Sequence, residues 1–97
     1  MDIQLVKFGT TLVFRERGRE AFAAFEPALK NLPDAEKVVM DFAGVITFSP
    51  SWGDEFISPL FSAHGDRLIL RNTSNPSVQA TLEILGKTHS MKFNIEN

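Results

Sequence analysis

The chain has no cysteine and only two histidines in 97 residues. Disulfides, thiolate metal sites and cysteine nucleophiles are excluded, and two imidazoles leave little for zinc. No apolar run approaches the roughly 20 residues of a membrane-spanning helix, and Met1-Asp2-Ile3-Gln4 lacks the basic-then-apolar layout of a signal peptide. The expected location is the cytoplasm, with no membrane partner. A basic excess is missing too: ten basic residues stand against twelve acidic ones, a net charge of -2 and a pI near 5.6. That balance is wrong for a domain living on phosphate-backbone contacts, so no nucleic-acid partner is expected. What remains is 43% hydrophobic and 23% charged, the composition of an ordinary globular domain. At this length the chain supports one core, hence a single domain over residues 1–97.

Alternation over residues 2–8 predicts a strand ending at Gly9, and Thr11 to Phe14 follows within hairpin reach. Phe22, Phe25, Leu29 and Leu32 fall at helical spacing in the segment Arg15 to Leu32, where Pro27 predicts a kink or restart at Glu26. Val38-Val39-Met40 reads as a central strand buried on both faces. Asp41 to Gly44 fits a turn with Asp41 as turn former, and Val45 to Phe48 runs extended. Trp52, Phe56 and Leu60 make the apolar stripe of a helix from Ser51 to His64. Leu68 to Leu70 reads as a short strand, and Asn75-Pro76 opens a third helix that Gly86 closes. Met91, Phe93 and Ile95 alternate as an edge strand. The predicted class is α/β, a small mixed sheet of four to five strands with helices packed on it.

Between Lys37 and Arg67 there is no basic residue, while Asp41, Asp54, Glu55 and Asp66 all fall there. Within that interval lies DFAGVITFSPSWGDEF, residues 41–56, a strand end, a loop and a helix start. Such a loop, after a central strand, is where ligands and partners dock in α/β sheets. The wider stretch from Val38 to Phe61, VVMDFAGVITFSPSWGDEFISPLF, resembles the core of a STAS domain, and more closely the STAS-like domain family of unknown function. The resemblance implies a non-enzymatic bacterial signalling domain. Bacterial STAS proteins, the anti-sigma factor antagonists, bind ATP-dependent regulatory kinases and are switched by phosphorylation of a serine in an Asp-Ser-Ser-Gly turn. Ser51 matches that phosphoacceptor by position, with Ser49, Pro50 and Trp52 where the motif has aspartate, serine and glycine.

Read from the residues alone, Ser51 with Asp54 three positions on fits a capping box, and Asp54 and Glu55 suit the positive end of a helix dipole. Trp52 fits either the core or an interface. His64 and His89 read as surface residues, and Arg15, Arg17 and Arg19 as a solvated face. Neither a serine-histidine-acid set nor a phosphate loop is present, so no catalytic residue, cofactor or metal is assigned. The expected partner surface comprises Ser49, Ser51, Trp52, Gly53, Asp54 and Glu55. It would face a protein, on the resemblance a kinase-like ATP-binding regulator, with weak self-association also expected. The alternative is a small-ligand or nucleotide-binding module using the same loop, which would need a pocket beside Asp41 and Ser51.

Overall fold

Successive strands of the main sheet are joined through a helix, and a helical crossover returns the chain to pair parallel. The computed structural model describes residues 1–97. In chain order the elements are β1 (Asp2–Gln4), β2 (Thr11–Leu12), α1 (Arg15–Lys30), β3 (Val38–Asp41), β4 (Thr47–Phe48), α2 (Pro50–His64), β5 (Leu68–Arg71), α3 (Pro76–His89) and β6 (Asn94–Ile95). Single 3-10 turns lie at Leu5–Phe8 and Gly65–Arg67. The main sheet has the order β1-β3-β5-β6, while β2 and β4 form a separate two-stranded ladder. Every pairing is parallel. The expected mixed sheet is therefore corrected to a parallel one: no neighbouring strands are joined by a hairpin, and β2 pairs with β4 rather than β1.

Register aligns Ile3, Met40 and Leu70 in one row across β1, β3 and β5. With Val38 and Leu68 they enter the core beside Phe56, Leu60 and Leu85. Val39 and Ile69 lie outside that cluster, so the helices cover one face of the sheet. Val39 is only half-buried, which corrects the reading of β3 as buried on both sides. No helix is long and apolar enough to cross a membrane.

Local departures from the sequence pattern follow the core. The first strand stops at Gln4 because the turn Leu5–Phe8 delivers Leu5 into the interior. It also sets the Phe8 ring 5.4 Å from that of Phe56. Helix α1 runs through Pro27 without a restart, the proline being exposed, with its ring on the solvent side. Helix α3 passes Gly86 and ends at His89, closed by Ser90 in the left-handed region at φ 54°. Gly86 instead admits a close approach, since a Cβ there would lie 3.1 Å from the Met91 carbonyl oxygen.

Candidate functional site

The start of α2 is set by a serine followed by proline. Ser49 is extended (φ -95°, ψ 156°), and its Oγ accepts from the backbone N–H of Trp52 at 3.2 Å. Pro50 then takes the first helical position, where its missing N–H costs nothing and its fixed φ suits the helix. The same Ser49 hydroxyl donates to the Val13 carbonyl at 2.5 Å, tying the helix start to the segment after β2. The cap expected of Ser51 is thus corrected to Ser49. Ser51 sits one residue inside the helix, half-buried and with no capping duty.

That shift moves the acids. Helix α2 has no acidic residue in its first turn, so Asp54 and Glu55 do not serve its dipole as expected. They meet the arginines of α1 and a histidine of α3 instead. Arg15 Nη1 contacts Asp54 Oδ2 at 3.2 Å and Glu55 Oε1 at 3.0 Å, and Arg19 Nη2 reaches Glu55 Oε1 at 3.3 Å. From the end of α3, His89 Nε2 lies 2.8 Å from Asp54 Oδ1, which also accepts from Ser58 Oγ at 2.8 Å. Burial pushes the Asp54 carboxyl up, but hydrogen bonds from Ser58, Arg15 and His89 outweigh it and hold the group below its ordinary range. The Arg15 hydrogen bond, joined by Arg19, lowers Glu55, and the hydrogen bonds to Glu55 and then Asp54 raise Arg15. Two of the four acids of that interval, Asp54 and Glu55, are thus paired in space, and of the arginines read as a solvated face Arg15 and Arg19 are ion-paired.

Two residues expected on the partner surface point inward. Trp52 is 1% exposed, stacked on Phe56 with ring centroids 5.1 Å apart and planes at 19°. Gly53 is buried against the rings and methyls of Phe48 and Leu85, so neither residue is available to a partner. The cause is helix packing: a Cβ on Gly18 of α1 would fall 2.6 Å from the Trp52 carbonyl oxygen, so α1 and α2 touch backbone to backbone here. Ser49, Ser51, Asp54 and Glu55 remain half-exposed.

Sequence reasoning missed the apolar residues flanking them. The β2–β4 register pairs Thr11 with Thr47 and Leu12 with Phe48; Phe14 comes one residue after the Val13 carbonyl that Ser49 holds, and Ile46 just before β4. Phe14 is 73% exposed and Ile46 64%. A phenylalanine between a strand and a helix start was the available signal, but periodicity alone placed it with the strand. Asp41 Oδ1 accepts from Ala43 N at 2.9 Å and Asn72 Nδ2 at 2.8 Å, the expected turn-forming role. Those bonds, Asn72's foremost, lower its carboxyl. His64 is half-buried rather than on the surface, and burial pushes its imidazole down. No three acidic or imidazole side chains converge as a metal site.

A parallel sheet with helices on one face, opening a half-exposed serine at the start of its central helix, defines a STAS-type α/β domain. The chain belongs to the family described as STAS-like domain of unknown function (DUF4325), which matches residues 18–78, from α1 into α3. No curated protein and no solved structure matches it.

Proposed function

We infer that the protein is a non-enzymatic regulatory interaction domain whose working face is the start of α2. The face consists of Ser49, Ser51, Asp54 and Glu55 flanked by Phe14. It engages a protein partner in the cytoplasm, on the family resemblance a kinase-like ATP-binding regulator. The observation that carries this reading is the exposed Phe14, next in the chain to the Val13 carbonyl that the helix-capping Ser49 holds. Exposed aromatics beside a polar rim are what interfaces use as anchors. None of the surface hollows is lined by Asp41 or Ser51, which favours a contact surface over an enclosed ligand site.

Ser51 is the phosphoacceptor in this reading. It shares a helix face with Asp54 and Glu55, three and four residues on. A phosphoryl group there gains from the dipole of the helix start and competes with both carboxylates for Arg15. Phosphorylation then rearranges the ion pairs between α1 and α2, rather than adding charge to a bare acidic patch.

The test is affinity capture from cells of the source organism with the wild type, Phe14→Ser and Ser51→Asp, each melted in parallel. A partner retained by the wild type and lost to both variants at unchanged melting temperature is the expected result. Equal retention by all three overturns the reading.

A further inference from the structure

The contact between α1 and α2 changes character along its length. Near the start of α1 the two helices touch backbone to backbone, Gly18 against Trp52. Further along, a hollow of about 220 Å³ lies between them. Residues at helical spacing build it from both sides, Phe22, Glu26 and Leu29 on α1 and Leu60 and His64 on α2. Leu29 and Leu60 belong to the buried core and form its floor, while Phe22 and Pro59 are half-buried at its walls.

Three polar groups stand at this apolar hollow without partners. His64 Nδ1 is buried and makes no hydrogen bond. Burial pushes the His64 pKa down, so at neutral pH the ring is uncharged. Glu26 and Lys30 are four residues apart with the acid first, the order that favours pairing along a helix. Glu83 and Lys87 on α3 have the same spacing and order, and they close to 3.0 Å. Glu26 and Lys30 instead are ion-paired neither with each other nor with any other side chain. Apart from His64 they are the only ionisable residues lining the hollow. Arg67, whose charge also disfavours protonation of His64, donates to the Ala63 carbonyl at 3.3 Å and does not line it.

An apolar floor with a few convergent polar groups is how small-molecule sites are built. At about 30 Å³ per water the volume equals roughly seven waters, so the occupant is small. Charge decides its class. A free carboxylate and a free ammonium beside one hollow match a ligand that carries both signs, whereas either end of a partner chain brings only one.

We propose that this hollow binds a small zwitterion with an apolar body, namely an apolar α-amino acid. Its ammonium meets Glu26 and His64 Nδ1, its carboxylate meets Lys30, and its side chain lies over Phe22, Leu29 and Leu60. None of the residues assigned to the face at the start of α2 takes part, so the site stands or falls separately from that face.

The test is titration of the whole chain with L-leucine, L-methionine and L-phenylalanine, followed through amide and imidazole resonances. Saturable shifts at Lys30, Ala63 and His64 are expected, with a Kd of about 1–10 mM. Leucinamide lacks the carboxylate and N-acetylleucine the ammonium, and each should bind about fivefold more weakly than leucine. Lys30→Met removes the preference for leucine over leucinamide, and Glu26→Gln the preference over N-acetylleucine. Both side chains are exposed, so the melting temperature should not change. Ala63→Leu, also at an exposed position, fills the hollow and abolishes binding. The proposal is overturned if none of the three amino acids gives saturable shifts, if leucine and its two blocked forms bind alike, or if the shifts fall on Phe14 and Ser51. Wild-type binding by all three variants overturns it equally.

Discussion

The two ends of the helical layer are finished differently. At the start of α2, α1 meets α2 backbone to backbone, and Asp54 alone collects Arg15, His89 and Ser58. At the α3–β6 end the sheet closes on a two-residue strand with Ile95 half-exposed and Lys92 unpaired. The first region has its polar groups satisfied and its aromatics stacked, so charge changes there act through neighbours already in contact. The second offers unspent backbone and apolar surface, so its responses depend on what is added from outside.

Truncating the aromatic core should separate the ends most sharply. Phe56→Ala, at the centre of the aromatic cluster, is expected to cost about 3–5 kcal/mol in urea denaturation. Phe93→Ala, half-exposed at the open end, should cost less than about 1.5 kcal/mol. Comparable losses would dissolve the contrast. Val39→Ala, half-buried on the opposite face of the sheet, should fall between them.

Gly18→Ala comes next. Its Cβ would press on the Trp52 carbonyl, and overpacking of this kind costs about 1–3 kcal/mol. Gly65→Ala meets no neighbouring atom, so any loss there reflects only its φ of 53°. A Gly18→Ala protein as stable as the wild type would show that the helices slide apart freely.

Among the serines, Ser49→Ala should lose about 1 kcal/mol with the helix cap, while Ser51→Ala should stay within about 0.5 kcal/mol. Chemical denaturation of the pair checks which serine caps. The reverse order would return the cap to Ser51.

The smallest effect concerns acid. Asp54 and Glu55 have lowered pKa values in the folded protein, so the unfolded chain binds their protons first. Their contribution is present above the unfolded values and is lost as pH falls through the folded ones, from about pH 5 downward. Asp54→Asn should flatten that part of the stability-pH curve, and high salt should flatten it further because the pairs are partly exposed. An unchanged slope in the variant would mean that the cluster contributes nothing to acid stability.

Periodicity and punctuation made much of the fold legible. Asn75-Pro76 announced α3, and Asn75 Oδ1 indeed accepts from the N–H groups of Ser77 and Val78. The spacing of Trp52, Phe56 and Leu60 announced the buried face of α2, and all three are at most 1% exposed. Ser49-Pro50 carried the same message as Asn75-Pro76, but the serine two residues on, with its acid at capping-box spacing, drew the cap to itself. At the candidate site, Ser51 could be singled out by resemblance. Its surroundings could not, because Arg15, Arg19, Phe14 and His89 lie 32–38 positions away in the chain.

Local rules determined where strands and helices form, since alternation, helical spacing and proline at a helix start act within a few residues. Tertiary structure alone decided that Asp54 and Glu55 meet the arginines of α1, that Trp52 and Gly53 turn inward, and that the strand edge at β6 stays open. Charge pairing, helix contact and strand order join residues far apart in the chain, and no local pattern encodes which of the available partners packing will bring within reach.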